Sequence, residues 1–203
     1  GTNIEAVASD PSNPLEGQVW FNTASNALKG YAGTVVDAWS TGNSMNTGRR
    51  DMGSAGAAAQ TAALAFGGVN SINNTEAYNG TNWTEVNNLN TARKYIAGFG
   101  TQTAALGFGG YHPGTITAAT EIWNGTNWTE VNNLNTARLN SGGSGANSTA
   151  GLAFGGAPGT KNETEIWNGT NWTEVNNLNT ARANMGGCGT NTAALAFGGE
   201  LPP

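Results

Sequence analysis

Few side chains in this chain could carry out catalysis or bind a metal ion. The 203 residues include a single histidine, His112, and a single cysteine, Cys188. One cysteine can form neither an internal disulfide nor a thiolate cluster, and one histidine removes most metal sites and general-base schemes. The acids Glu85, Glu130 and Glu174 recur too regularly for a catalytic pair, which needs two carboxylates in different environments. The sequence therefore predicts a protein that is not an enzyme and that uses no cofactor and no metal.

The charge and hydropathy patterns exclude two classes of partner. A net charge of −5 with only eight Lys and Arg residues provides no basic surface for nucleic acid. No apolar run approaches the roughly 18 residues of a spanning helix, so we expect no membrane insertion. No basic segment followed by an apolar one opens the chain, so we predict no secretory signal, although a processed chain would look the same.

A tandem repeat occupies most of the chain after residue 34. The segment NGTNWTEVNNLNTAR occurs without change at 79–93, 124–138 and 168–182, and a degraded copy, AWSTGNSMNTGR, lies at 38–49. A second block, close to TAALAFGG, alternates with the first at 61–68, 103–110, 149–156 and 192–199. A period of 44 or 45 residues made of short strand-like pieces is typical of a propeller blade or a β-solenoid coil.

Each repeat is predicted to contain four antiparallel strands. The first is glycine-rich, and the second, TAALAFGG, is apolar on both faces, as in a strand that is covered on both sides. The third is TEAY or TEIW and the fourth is NWTEVNNL, with Asn-Gly between them. Because Asn-Gly favours a type I′ turn, with positive φ at both residues, we expect a tight hairpin at this point.

Several repeated features resemble the kelch repeat. These are a Gly-Gly pair after the second strand (Gly67–Gly68), an aromatic residue on the third (Tyr78), a tryptophan opening the fourth (Trp83) and an NTAR exit (Asn90–Arg93). The resemblance implies an all-β fold, a β-propeller of four-stranded blades. Kelch propellers usually have more blades than this chain encodes.

The strand pairs can be counted from the repeats. First-plus-second pairs lie at 49–68, 92–110, 137–156 and 181–199, and third-plus-fourth pairs lie at 28–46, 72–90, 116–135 and 162–180. The N-terminal pair can therefore join the C-terminal pair in one sheet, a 2+2 clasp that closes four blades and removes exposed edges. A larger ring, a ring shared with a second chain and a segment of a longer array remain as alternatives. We predict a connector over 1–27 and a propeller over 28–203.

The constant aromatic and charged residues of the repeat have structural interpretations. Buried tryptophans would stabilise blade packing, whereas exposed ones could stack on sugar rings; we favour packing for Trp39, Trp83, Trp128 and Trp172, and for Tyr78, Trp123 and Trp167. Glu76, Glu121 and Glu165 recur on the third strand, and Arg93, Arg138 and Arg182 recur at the blade exit. Ion pairs between blades are one interpretation of these charges, and solvated side chains that contribute little are the other.

The variable positions of the repeat predict a binding surface. They fall in the second-to-third and fourth-to-first connections, which emerge at the same end of an up-and-down sheet. Variable loops on a rigid frame are typical of binding surfaces, although neutral drift gives the same pattern. The candidate ligand-binding residues, which we call the variable surface, are Arg50, Asp51, Lys94, Tyr95, Tyr111, His112, Leu139, Asn140, Lys161 and Asn184.

The N-terminal segment PSNPLEGQVWFNTASNALKGYAGT resembles a β-hairpin module of tailed-phage virion proteins. The residues that carry the resemblance are Pro14, Gly17, Gln18, Trp20, Phe21, Asn22, Leu28, Lys29, Tyr31 and Gly33. The near-identical repeats downstream also resemble those of marine phage and cyanophage structural proteins. Together these resemblances imply a virion location, in a tail fibre or baseplate appendage.

We therefore predict a non-enzymatic virion module whose variable surface binds a host-surface glycan or another virion protein. One alternative is an architectural spacer that assembles with copies of itself as a homo-oligomer. Another alternative is a secreted, extracellular bacterial lectin.

Overall fold

The computed structural model describes residues 4–13, 18–31 and 42–202. All regular elements among these residues are β-strands, so the predicted all-β class is confirmed. The chain divides into two compact units, Gly1–Thr41 and Gly42–Pro203. The boundary at residue 27 that the sequence suggests stays a prediction.

The first unit contains one three-stranded sheet of β1 (Glu5–Val7), β2 (Val19–Asn22) and β3 (Ala27–Gly30). Strand β1 runs parallel to β2, and β2 and β3 form the hairpin expected from the phage-type motif. Alternation along β2 buries Trp20 and Asn22 and leaves Val19 exposed. The motif residues Pro14, Gly17 and Gly33 lie outside the described residues.

The carboxylate of Asp10 holds this sheet together. Its Oδ1 accepts hydrogen bonds from Trp20 Nε1 at 3.0 Å and Asn22 Nδ2 at 2.6 Å. Its Oδ2 accepts one from Lys29 Nζ at 2.7 Å. These bonds, that of Lys29 first, lower the pKa of Asp10 to about 2. Three residues of the motif therefore converge on one acid that precedes it.

The second unit contains the repeats. Its strands are β4 (Gly53–Ala59), β5 (Ala62–Phe66), β6 (Thr75–Tyr78), β7 (Trp83–Val86), β8 (Ala97–Thr101), β9 (Ala104–Phe108), β10 (Tyr111–His112), β11 (Thr115–Ile116), β12 (Thr120–Trp123), β13 (Trp128–Val131), β14 (Gly142–Asn147), β15 (Ala150–Phe154), β16 (Thr164–Trp167), β17 (Trp172–Val175), β18 (Gly186–Gly189) and β19 (Ala194–Phe197).

Three four-stranded sheets and one two-stranded sheet follow the repeat. Sheet I is β4–β5–β6–β7, sheet II is β8–β9–β12–β13, sheet III is β14–β15–β16–β17, and sheet IV is β18–β19. Every pairing in them is antiparallel, as predicted for one repeat. The hairpin β10–β11 is an insertion between the second and third strands of sheet II. The first strands β4, β8, β14 and β18 line one shared cavity.

The turn between the third and fourth strands differs from the predicted type I′ turn. Tyr78 pairs with Trp83, so the loop has four residues, 79–82, rather than two. Only Gly80 in this loop has positive φ, at 91°. Asn79 shapes the loop through its side chain, whose Oδ1 accepts the N–H groups of Thr81 and Asn82. The predicted hairpin is confirmed. The predicted turn type is wrong, because the loop is closed by hydrogen bonds to the Asn79 side chain and Asn79 does not need a positive φ.

Glycines of the first strands make room for a phenylalanine from the preceding sheet. A Cβ on Gly98 would overlap the ring of Phe66, which is fully buried and lies edge-on to Trp128 at 4.8 Å between ring centroids. A Cβ on Gly187 would lie 2.6 Å from Cζ of Phe154. Glycines of neighbouring first strands also approach each other closely, since a Cβ on Gly143 would lie 2.8 Å from the carbonyl oxygen of Gly98.

The predicted clasp between the two ends is not seen among the described residues. Sheet IV has two strands, and β3 pairs with β2 on one side, so β3 cannot have both neighbours that the clasp requires. The rest of the donor segment, 32–41, lies outside the described residues. Ring closure therefore stays a prediction.

Candidate binding surface

Four residues of the variable surface are joined by a ladder of backbone hydrogen bonds. The N–H of Tyr95 donates to the carbonyl of Asp51 at 2.7 Å, that of Asn140 to Tyr95 at 3.1 Å, and that of Asn184 to Asn140 at 3.0 Å. All four residues have positive φ, between 54° and 60°. Each sheet contributes one of these residues, so the ladder brings the start of all four repeats together.

The two kinds of variable loop meet at the same end of the sheets, as predicted. Isolated β-bridges join the residue after the repeat arginine to the residue after the Gly-Gly pair. The bridges are Lys94 with Tyr111, Leu139 with Ala157, and Ala183 with Glu200. The variable positions therefore lie side by side over the constant strands.

Sheet II carries a feature that the other repeats lack. Lys94 Nζ lies 5.0 Å from the ring centroid of Tyr95 and 5.3 Å from that of Tyr111. A cation over an aromatic face is attracted by the ring quadrupole. The corresponding positions hold Leu139, Asn140 and Ala157 in sheet III, so the cluster of one amine and two phenols is particular to one repeat.

Three other residues of the variable surface make local contacts of their own. His112 is exposed in β10, and its Nδ1 lies 3.0 Å from the carbonyl of Ala92. Arg50 is exposed and its Nε lies 3.6 Å from Asp51 Oδ2. The carbonyl oxygen of Lys161 accepts a hydrogen bond from the N–H of Arg182.

The constant tryptophans of the fourth strand pack between sheets. Trp128 of sheet II donates its indole N–H to Thr75 Oγ1 of sheet I at 3.0 Å. Trp172 of sheet III repeats this contact with Thr120 Oγ1 of sheet II at 3.1 Å. Both rings are buried, so neither is available to a sugar. Trp83 is half-buried and lies against Tyr78, and Trp39 lies outside the described residues.

The third-strand aromatics of sheets II and III also belong to the core. Trp123 and Trp167 are buried, and their indole N–H groups donate to the carbonyls of Gln102 and Ser148. Burial with a satisfied N–H is the usual arrangement for a structural tryptophan. These rings therefore support the frame and do not face a ligand.

The charged residues of the repeat form buried ion pairs between neighbouring sheets. Arg93 Nη2 lies 2.7 Å from Glu121 Oε1, and Arg138 Nη2 lies 2.6 Å from Glu165 Oε1, with all four side chains fully buried. Arg49 forms the same pair with Glu76. Arg182 differs, since its Nη1 donates to the carbonyl of Gly198 and no carboxylate of the described chain pairs with it.

The sequence interpretation missed the asparagine and threonine of the NTAR exit. Asn90 donates through its backbone N–H and its Nδ2 to Glu121 Oε2, at 2.7 and 3.0 Å. The N–H of Thr91 donates to Oε1 of the same carboxylate. The signal was the fixed spacing of Asn, Thr and Arg, which together supply every donor that a buried glutamate needs.

The same network surrounds Glu76 and sets its charge state. Burial by itself would raise the pKa of Glu76. The N–H groups of Asn46 and Thr47 and the charge of Arg49 outweigh burial, so the pKa is lowered. In the Arg93 pair, burial lowers the pKa of the guanidinium while Glu121 opposes that change. The network therefore holds buried charged groups between neighbouring sheets.

The cavity between the first strands offers little chemistry. Its lining is mostly glycine and alanine, with Ser54, Ser144 and the exposed thiol of Cys188 as its polar side chains. Within residues 4–13, 18–31 and 42–202, no three His, Cys, Asp or Glu side chains are close enough to share a metal ion. The variable surface is therefore the candidate site.

No protein-family model matches this chain, and no curated protein matches it. In the part of the chain that the structure describes, no helix could cross a membrane.

Proposed function

We propose that the second unit is a kelch-like β-propeller of a phage virion appendage, with sheets I to IV as its blades. In this proposal the variable surface binds a host-surface glycan or another virion protein, and no reaction is catalysed. The observation that carries the proposal is the backbone ladder from Asp51 to Asn184, which gathers the variable positions above a constant frame. The shared cavity of the four first strands supports the radial arrangement of blades.

The cluster around Lys94 is the part of this surface best suited to a sugar. The rings of Tyr95 and Tyr111 supply apolar faces, and the ammonium of Lys94 supplies hydrogen-bond donors between them. Aromatic faces with a few polar groups are the usual chemistry of such sites. The cation favours a glycan that carries a carboxylate or another anionic group.

A glycan array probed with the full chain tests the proposal. Binding should weaken strongly in Lys94→Ala and Tyr111→Ala, since both remove part of the cluster without removing a buried bond of the frame. Thr173→Ala, on the exposed face of β17, is the matched control and should bind as the parent does. Absence of binding to glycans and to other virion proteins would contradict the proposal.

A second candidate function, an architectural spacer, is favoured by sheet IV, where no strand of residues 4–13, 18–31 or 42–202 pairs with the outer side of β19. Its signature is self-assembly without ligand binding. Sedimentation measures the mass of the assembly over a range of protein concentrations. A mass that increases with protein concentration, together with no binding on the glycan array, supports the spacer.

A further inference from the structure

One residue of the backbone ladder has a side chain that its backbone conformation disfavours. Asp51, Asn140 and Asn184 have φ values of 60°, 54° and 55°, and short Asn and Asp side chains adopt this left-handed region readily. Tyr95 has a φ of 55° as well. A bulky aromatic residue is rare in this region, because its Cβ lies too close to the following carbonyl oxygen. Asparagine would therefore suit the backbone at position 95 better than tyrosine does.

Packing in the core does not explain this tyrosine. Its side chain is half-buried and belongs to neither of the two apolar clusters formed by the described residues. The next residue, Ile96, is 4% exposed and packs in the same cluster as Phe66. The ring of Tyr95 instead contacts Lys94, whose Nζ lies 5.0 Å from the ring centroid. Residues in disfavoured backbone conformations are concentrated at functional sites, so the conformation of Tyr95 suggests a role outside the core.

The ammonium group of Lys94 has no carboxylate partner in the part of the chain that the structure describes. It lies near two aromatic rings, those of Tyr95 and Tyr111. Arg50, on the same surface, differs in having Asp51 at 3.6 Å. In a chain of net charge −5, an ammonium without a carboxylate partner is suited to bind an anionic group of a ligand.

The backbone around these side chains is fixed without a ligand. The N–H of Lys94 donates to the carbonyl of Tyr111 at 3.1 Å, and the N–H of Tyr111 donates to the carbonyl of Lys94 at 2.7 Å. The N–H of Tyr95 donates to the carbonyl of Asp51. The hydroxyl of Tyr111 accepts the N–H of Gly114 at 3.2 Å. A cluster that is ordered in advance loses little conformational entropy when it binds a ligand.

We propose that Tyr95 is the specificity-determining residue of the variable surface and that it selects anionic sugars. Its ring packs against one face of the sugar, and the neighbouring ammonium of Lys94 binds the carboxylate of the same sugar. The disfavoured φ is the loss of stability that accompanies an aromatic ring at this position. This inference rests on the proposed function and deepens it, since it names one residue and one class of glycan.

Two variants that both remove the ring test the backbone conformation. Tyr95→Gly should be more stable than Tyr95→Ala, because glycine has no Cβ and adopts positive φ freely. We expect a Tm about 2–4 °C higher for the glycine variant. Thr173, exposed on β17, is the matched control position, and there the alanine variant should be the more stable. A Tyr95→Ala variant as stable as Tyr95→Gly would overturn the inference.

A glycan array that carries sialylated and uronic-acid glycans beside their neutral counterparts tests the specificity. The full chain should bind the acidic glycans and not the neutral ones. Tyr95→Asn suits the backbone and removes the ring, so it should fold and bind the acidic glycans about tenfold more weakly or worse. Tyr95→Phe keeps the ring and should lose much less affinity. Thr173→Ala, outside the variable surface, is the control and should bind as the parent does.

The outcomes separate this inference from the proposed function. Equal binding of Tyr95→Asn and the parent overturns the inference, and so does a parent that binds neutral glycans as well as acidic ones. Binding to another virion protein with no binding on the array overturns the inference and leaves the proposed function standing. No binding to glycans or to virion proteins overturns both.

Discussion

Arg93 and Glu121 form a fully buried ion pair, with 2.7 Å between Nη2 and Oε1. The arginine follows sheet I and the glutamate lies on the third strand of sheet II, so the pair joins two neighbouring sheets. The guanidinium also donates to the carbonyls of Gly109 and Ala119. One side chain thus fixes the strand ends of the next sheet.

Removal of this arginine should destabilise the second unit strongly. We expect Arg93→Met to lower the free energy of unfolding by about 3–5 kcal/mol, because Glu121 would stay buried without its cation. Arg182→Met is the matched control and should cost about 1 kcal/mol or less, since only a bond to Gly198 is lost. Denaturant unfolding measures both, and equal losses would contradict the role given to the pair.

Two equivalent third-strand threonines, Thr75 and Thr164, should differ in their response to valine. Thr75→Val should cost about 1–3 kcal/mol, because the buried indole N–H of Trp128 loses its acceptor. Thr164→Val should be neutral or stabilising, because its Oγ1 has no partner among the described residues. Both variants replace threonine by valine. The difference between their thermal unfolding therefore measures the hydrogen bond between Trp128 and Thr75. A comparable loss in Thr164→Val would mean that its Oγ1 is bonded in solution.

The first unit should lose stability in acid through Asp10. Its pKa is lowered from 3.8 to about 2 by the bonds from Lys29, Asn22 and Trp20. A carboxyl with a depressed folded pKa stabilises the fold above its unfolded pKa, and the contribution is lost as the pH falls through the folded value. The indole N–H signal of Trp20 in an NMR titration should therefore shift as the pH falls from 3.8 through about 2. In Asp10→Asn the shift of the Trp20 signal with pH should vanish. If the shift persists in this variant, another group causes it.

A methyl group should be tolerated at one glycine and not at another. Gly98→Ala should cost about 1–3 kcal/mol, because its Cβ would overlap the Phe66 ring and lie 2.9 Å from the carbonyl of Leu106. Gly48→Ala has open space and places there the residue found in the other NTAR segments. It should be neutral or stabilise by about 0.4–1 kcal/mol. Differential scanning calorimetry compares them, and a harmless Gly98→Ala would show that Phe66 has room to move.

The sequence predicts the sheets better than the contacts between them. Apolar runs and Asn-Gly loops identify the strands because periodicity and turns are local properties. The turn type was wrong because the Asn79 side chain supplies what a second positive φ would have supplied. Asp10 was missed because an acid outside the hairpin has no local pattern that links it to Trp20.

The variable surface was predictable as a set of positions but not as a geometry. Variation between near-identical repeats identifies the positions of Lys94 and Tyr111. Their proximity depends on a bridge between two loops, which the sequence alone does not specify. The sequence left two interpretations of the Arg93 and Glu121 charges, an ion pair between sheets and two solvated side chains. Burial decides between them, and the sequence does not show whether these side chains are buried.

The contacts between sheets I, II and III follow one pattern. The arginine after the fourth strand of one sheet pairs with the third-strand glutamate of the next sheet. The fourth-strand tryptophan of that next sheet donates to the third-strand threonine of the sheet before it. The junction between sheets I and II and that between sheets II and III therefore use the same contacts. Because the segments at 79–93, 124–138 and 168–182 are identical, the gain or loss of one whole repeat would leave such a junction in place. A unit added by duplication would bring its own copy of these contacts, because every repeat carries both halves of the junction.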